Sequence, residues 1–124
     1  MTNAFLPRVA EGVWRQRPDY RALSVTARGF STQAESRAAL AAPAPPVWMD
    51  AHLEAWRAAF RGFGANPKRT PSSVDALWKR LQKDGSLPRI GPVVDLYNAL
   101  SVRFGAPFGG EDADLYAGSP RLGF

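Results

Sequence analysis

The chain has 124 residues, of which 45% are hydrophobic and 22% charged, the balance expected of one globular domain. It contains no cysteine and a single histidine, which excludes a thiol nucleophile, a disulfide framework and a cysteine- or histidine-rich metal centre. The net charge of +5 is compatible with a polyanionic partner and equally with simple solubility.

The first half of the chain carries one strand pattern and one helix pattern. Residues 20–29 alternate between two faces and contain Val and Thr, which predicts a strand. Ser31 can cap a short Ala-rich helix over 32–41, which the proline-rich segment that follows would end. A single strand cannot form a sheet. We therefore expect residues 1–18 and 106–124 to contribute strands, unless the sheet is completed by chain beyond this sequence.

Three amphipathic helices are predicted further along the chain, at residues 48–63, 73–84 and 92–104. Ser72 and Asp75 have the spacing of a capping box for the second helix. A glycine follows each predicted helix as a stop signal: Gly64, Gly85 and Gly105. The apolar stripe predicted for the last helix consists of Val93, Leu96, Tyr97, Leu100 and Phe104. The expected fold is α+β, with a mixed sheet and three to four packed helices.

A longer pattern covers the chain from about residue 55 onwards, and its spacing is kept without a gap from Val93 to Asp112. The matching positions are Pro88, Val93, Val94, Asp95, Asn98, Gly105, Pro107 and Asp112. On these residues the chain resembles free-standing proteins of the B3/B4 domain family, which includes the editing module of the phenylalanyl-tRNA synthetase β chain. The resemblance implies that residues 1–124 are a single B3/B4-like domain whose C-terminal part is missing, because the family's domain continues further.

The function implied by this resemblance is trans-editing, the hydrolysis of the ester that joins a wrong amino acid to tRNA. The expected partner is the aminoacylated 3′ end of tRNA, and no cofactor or metal is expected. The sequence offers no obvious nucleophile or general base, which fits hydrolysis by a positioned water molecule. Gly109 occupies the position of the synthetase's editing-site histidine. That departure favours a non-catalytic tRNA- or RNA-binding module, and an inactive truncated fragment is a further alternative.

Five residues are candidates for substrate binding, and each has a structural alternative. Asp95 and Asn98 lie one turn apart, so they can bind the preceding connector, or Asn98 can reach a pocket. Gly109 and Gly110 suit a plain turn or a close approach of ligand to backbone. Acidic groups that follow can bind an α-ammonium group or cap a turn. The candidates are Asn98, Gly109, Gly110, Glu111 and Asp112.

Basic residues cluster around one loop and one helix, and they are candidates for binding RNA phosphates. They are Lys68, Arg69, Lys79, Arg80 and Lys83. A solvated helix face explains them at least as well, and the same applies to Arg57 and Arg61. His52 is expected to be structural. No apolar run is long enough to span a bilayer, and the N-terminus lacks a signal-peptide pattern, so a cytoplasmic location is expected.

Overall fold

The computed structural model describes residues 6–29 and 46–124, and the chain divides into two compact units. One unit contains the described residues 6–29 and 111–124, and the other contains residues 46–110. The helix predicted over 32–41 lies outside the described residues.

The first unit contains a short parallel sheet made from the two ends of the chain. Strand β1 (Arg8–Val9) pairs with strand β2 (Arg121–Leu122). The backbone N–H of Ala10 extends the ladder by donating to the Leu122 carbonyl at 2.9 Å. Helix α1 (Glu11–Gln16) follows β1, and a 3₁₀ turn (Ala113–Leu115) precedes β2. The prediction that both ends supply strands is confirmed.

The strand predicted at residues 20–29 is wrong. These residues form neither strand nor helix, and the side chains of Leu23 and Val25 are 90% and 80% exposed. Alternation and β-branched residues favour a strand only where a neighbouring strand and a buried face reward them. Neither is present for this segment among the described residues.

The second unit is helical and contains α2 (Met49–Gly62), α3 (Ser73–Asp84) and α4 (Pro92–Phe104). The described chain therefore has four α-helices and a two-stranded sheet, which confirms the α+β class. Each helix of the second unit contributes to one core cluster, made of Met49, Leu53, Val74, Trp78 and Val102. The predicted boundaries are met within a residue or two. Gly85 and Gly105 end their helices with left-handed backbone, at φ values of 71° and 64°.

The buried face of α4 differs from the predicted stripe. Val93, Leu96 and Phe104 are 41%, 36% and 59% exposed. The buried residues are Asn98, Ala99, Ser101 and Val102. A hydropathy pattern places serine and asparagine on the outer face. A serine hydroxyl with a hydrogen-bond partner can nevertheless be buried at little cost, and Ser101 has such a partner.

Candidate functional site

The loop that leaves α4 is held against α2 at its first residue. The Gly105 carbonyl oxygen lies 2.5 Å from His52 Nε2. A carbonyl oxygen only accepts, so this contact is a hydrogen bond when Nε2 carries a hydrogen, and the Trp56 indole nitrogen also lies 3.2 Å from Nε2. A Cβ atom at Gly105 would lie 2.6 Å from the Trp48 ring, and its φ of 64° also favours glycine. His52 is therefore structural, as expected, and Gly105 is required by both packing and backbone conformation.

The rest of the loop, residues 106–110, has one hydrogen bond to α4 and one close approach to an aromatic ring. The fully buried Ser101 hydroxyl donates to the Ala106 carbonyl oxygen at 2.6 Å. A Cβ atom on Gly110 would lie 2.9 Å from the Tyr97 ring, so this glycine faces an aromatic side chain. Gly109 differs, because nothing lies within 4 Å of where its Cβ would be. The start of the loop is therefore fixed by hydrogen bonds, Gly110 packs too closely against Tyr97 to carry a side chain, and the backbone is open at Gly109.

The two polar residues predicted on α4 have different roles. Asp95 Oδ1 accepts hydrogen bonds from the backbone N–H groups of Ile90 and Gly91, at 2.9 Å and 3.3 Å. Asp95 thus binds the connector before α4, which is the structural alternative. Asn98 is 9% exposed, and its amide makes no hydrogen bond within residues 6–29 and 46–124. The structural alternative, a bond from Asn98 to the connector, is therefore not seen among the described residues.

The remaining candidates for substrate binding fall in both units. Asn98, Gly109 and Gly110 belong to the helical unit, whereas Glu111 and Asp112 belong to the other. Asp112 caps the 3₁₀ turn by accepting a hydrogen bond from the Asp114 backbone N–H at 3.0 Å. The capping alternative is confirmed for Asp112, and its carboxylate is engaged in that turn.

A basic cleft lies on the helical unit and involves only part of the predicted basic cluster. It has a volume of about 780 Å³, and Lys68 and Lys79 line it. Arg69, Arg80 and Lys83 are not among its lining residues, and Arg80 Nε instead pairs with Asp84 at 2.9 Å. The full lining consists of Glu54, Arg57, Arg61, Ala65, Asn66, Pro67, Lys68 and Lys79. We refer to this set as the basic cleft.

A buried ion pair joins α2 to α3 beside the basic cleft. Asp75 is fully buried, and Arg57 donates to both of its carboxylate oxygens at 2.9 Å. These hydrogen bonds hold the pKa of the Asp75 carboxyl below its ordinary value and raise the pKa of Arg57. The sequence does not predict this pair, because the capping spacing indicates a local role for Asp75 and the helix pattern indicates a solvated face for Arg57.

The lining carboxylate of the cleft, Glu54, contacts both arginines. It accepts a hydrogen bond from Arg61 Nη2 at 2.6 Å and one from Arg57 Nη1 at 3.3 Å. The bond from Arg61, followed by that from Arg57, lowers the pKa of Glu54. Glu54 therefore stays ionised at neutral pH and occupies the guanidinium groups that an external anion would contact.

Together these features define a small α+β protein with a basic cleft and a glycine-containing loop that hydrogen bonds hold where it leaves α4. The family model for the B3/4 domain matches residues 55–124, more than half of the chain. The chain belongs to the B3/4 domain family. Comparisons with curated proteins and with solved structures found no match. Within the described residues, no helix combines the length and the apolar character needed to cross a bilayer.

Proposed function

We propose that this protein is a free-standing aminoacyl-tRNA editing protein, which hydrolyses the ester linking a wrong amino acid to the 3′ end of tRNA. The observation that carries the proposal is the family match, because membership in the B3/4 domain family is consistent with a tRNA-related function. The matched residues include the whole of α4 and its exit loop. This loop carries the backbone that the proposal assigns to substrate binding.

Hydrolysis of the ester would depend on the positioning of a water molecule and the substrate rather than on a strong general base. His52 Nε2 lies against the Gly105 carbonyl oxygen, so this nitrogen is engaged in holding the loop. A water molecule would add to the ester carbonyl, and the terminal ribose hydroxyl would leave as the amino acid is released. Backbone N–H groups beside a bare glycine such as Gly109 are suited to stabilising the oxyanion that forms. The Asn98 amide would orient the substrate from the neighbouring helix.

A non-catalytic tRNA-binding module is the second candidate. It is favoured by Gly109, which stands where the resemblance to the synthetase module places the editing histidine. In this case the loop would hold the aminoacyl end without hydrolysing it, and the protein would protect charged tRNA instead of clearing it.

The test is amino acid release from a panel of mischarged tRNAs by the full chain and two glycine variants. Gly109→Val adds a branched side chain where backbone would meet the ester, so we expect deacylation to fall at least tenfold. Gly62→Val is the matched control, since nothing lies within 4 Å of the Cβ position at either glycine. Thermal melting of both variants checks that folding is kept.

Three outcomes separate the candidates. Loss of deacylation in Gly109→Val, with activity kept in Gly62→Val, supports the editing function. Binding of charged tRNA without deacylation of any panel member supports the binding module. Full activity in Gly109→Val would place the reaction elsewhere and overturn the role given to this loop.

A further inference from the structure

The basic cleft carries more positive than negative charge. Four cationic side chains and one carboxylate line the cleft, so the lining has an excess of three positive charges at neutral pH. The cations are Arg57, Arg61, Lys68 and Lys79. Asp75 neutralises part of this excess from beneath, but it is fully buried and is not among the lining residues. The cleft therefore suits an anionic ligand.

The fold holds the Arg57 guanidinium and the backbone of the Lys68 loop in place before any ligand arrives. The bidentate contact with Asp75 fixes the Arg57 guanidinium. The loop that carries Lys68 is closed by Asn66, whose side-chain oxygen accepts from the Lys68 backbone N–H at 3.0 Å. The Asn66 carbonyl also accepts from the Thr70 N–H at 2.8 Å. Such preorganisation lowers the entropy lost when a ligand binds.

The Glu54 carboxylate bridges the two arginines of the cleft. Its oxygens accept from Arg61 at 2.6 Å and from Arg57 at 3.3 Å, and its side chain is 56% exposed. A phosphate offers the same kind of paired oxygen acceptors to guanidinium groups. An exposed carboxylate pair is weak, so Glu54 can turn into solvent when a phosphate replaces it. The Lys68 ammonium is in none of the ion pairs of the described chain and can contribute directly, whereas Lys79 Nζ lies 3.4 Å from Asp75 Oδ1.

The cleft and the exit loop of α4 lie on different faces of α2. At about 100° per residue, Arg57 and Arg61 lie roughly 140° to 180° around the helix from His52, which contacts the loop. They also lie roughly 8 to 14 Å further along the helix axis. The cleft is therefore separate from the backbone proposed to meet the aminoacyl ester.

We infer that the basic cleft binds phosphodiester groups of the RNA backbone, at a distance from the aminoacyl end. This inference rests on the proposed function in taking tRNA as the ligand, but it does not depend on hydrolysis. Free phosphate and nucleotides share the same chemistry. The extended RNA backbone is favoured because the lining cations come from two helices and a loop, and because the family is consistent with a tRNA-related function.

The experiment measures the affinity of the full chain for uncharged tRNA as a function of salt concentration. The test variant is Arg61→Gln/Lys68→Gln, and the matched control is Arg69→Gln/Lys83→Gln, which removes the same charge outside the cleft. We expect the test variant to weaken binding at least tenfold and to reduce the salt slope by about 0.7 to 0.9 for each phosphate that is no longer neutralised. The control should bind within about threefold of wild type, since only diffuse charge is removed. Glu54→Gln should tighten binding.

Several results would overturn the inference. Equal weakening by the two double variants would mean that general surface charge, rather than the cleft, attracts RNA. Competition by inorganic phosphate or ATP at concentrations similar to those of tRNA would indicate a small-phosphate site. If a poly-glutamate peptide binds as tightly as tRNA, and if the cleft variant weakens that binding, the cleft would instead serve an acidic protein partner. Because uncharged tRNA is the probe, none of these results depends on deacylation.

In the deacylation assay, the cleft variant should raise KM for tRNA and leave kcat unchanged. The Gly109→Val variant should instead lower kcat. A loss of kcat in the cleft variant would contradict a site remote from the ester.

Discussion

The buried pair of Arg57 and Asp75 should make a single carboxylate decisive for the stability of the helical unit. Asp75→Asn removes the charge but keeps the size of the side chain. The amide would present N–H donors to a guanidinium that itself has only donors. One of the two 2.9 Å hydrogen bonds would be removed, Lys79 would lose its ion pair with Asp75 at 3.4 Å, and Arg57 would keep only its exposed contact with Glu54 at 3.3 Å.

The magnitude follows from the burial of the two groups. Removing one partner of a buried ion pair costs about 3 to 5 kcal/mol. The Arg57 side chain is 29% exposed, so water can partly solvate it, and the lower end of that range applies. A loss of about 3 kcal/mol is a large share of a total unfolding free energy of roughly 5 to 15 kcal/mol. It corresponds to a fall in Tm of roughly 10 °C for a domain of this size.

Urea unfolding followed by circular dichroism measures the loss, with Asp84→Asn as control. Asp84 lies on the same helix and pairs with Arg80, but both side chains are exposed, at 39% and 59%. An exposed i,i+4 pair contributes only about 0.3 to 0.5 kcal/mol. Equal losses in the two variants would refute the reasoning, because burial would then not distinguish the pairs.

The pH dependence provides a second check on the same pair. Hydrogen bonds from Arg57 lower the pKa of Asp75 from its ordinary value of 3.8. The stability that Asp75 contributes is therefore fully present above that value and is lost as the pH falls through the depressed pKa. The difference in unfolding free energy between wild type and Asp75→Asn should be constant near neutral pH and shrink in strong acid. A difference that stays unchanged into strong acid would contradict the pairing.

Two further predictions concern the ends of helices. Gly105→Ala should lower the unfolding free energy by more than the roughly 1 to 2 kcal/mol expected for left-handed backbone alone, because its Cβ would lie 2.6 Å from the Trp48 ring. Gly64→Ala has a positive φ but no atom within 4 Å, so similar losses in chemical denaturation of the two variants would exclude a role for Trp48. Ser72→Ala should cost about 1 kcal/mol in thermal melting, since Ser72 accepts the Asp75 backbone N–H at 3.3 Å. Ser73→Ala should cost much less, and the cap is unimportant if the two melt alike.

Helix positions could be predicted from sequence because their signals are local. Ser72 accepts the hydrogen bond that its spacing from Asp75 predicts, and Pro92 begins α4 as expected. Gly85 and Gly105 adopt the backbone that ends a helix. Each signal acts within a few residues, so no knowledge of the tertiary structure is needed.

Strand positions could not be predicted in the same way. Residues 20–29 have a clearer alternating strand pattern than either end of the chain. The sheet is nevertheless formed by Arg8–Val9 and Arg121–Leu122. The two strands are more than a hundred residues apart in sequence, and each is only two residues long. Their pairing depends on where the ends of the chain meet, which no local alternation encodes.

The Arg57 and Asp75 pair explains why the basic cleft was only half predicted. A sequence pattern assigns Asp75 to the local capping box, but the fold directs its carboxylate to an arginine 18 positions earlier. The same contact fixes Arg57 beside Glu54, so the cleft exists only when α2 and α3 have packed. Lys68 and Lys79 were visible as a basic cluster because they lie in one stretch of sequence. The arginines that complete the cleft lie on another helix, and their role depends on a buried carboxylate that also neutralises part of the charge offered to a ligand. The Asp75 carboxylate therefore stabilises the packing of α2 on α3 but reduces the positive charge that the cleft offers to an anion.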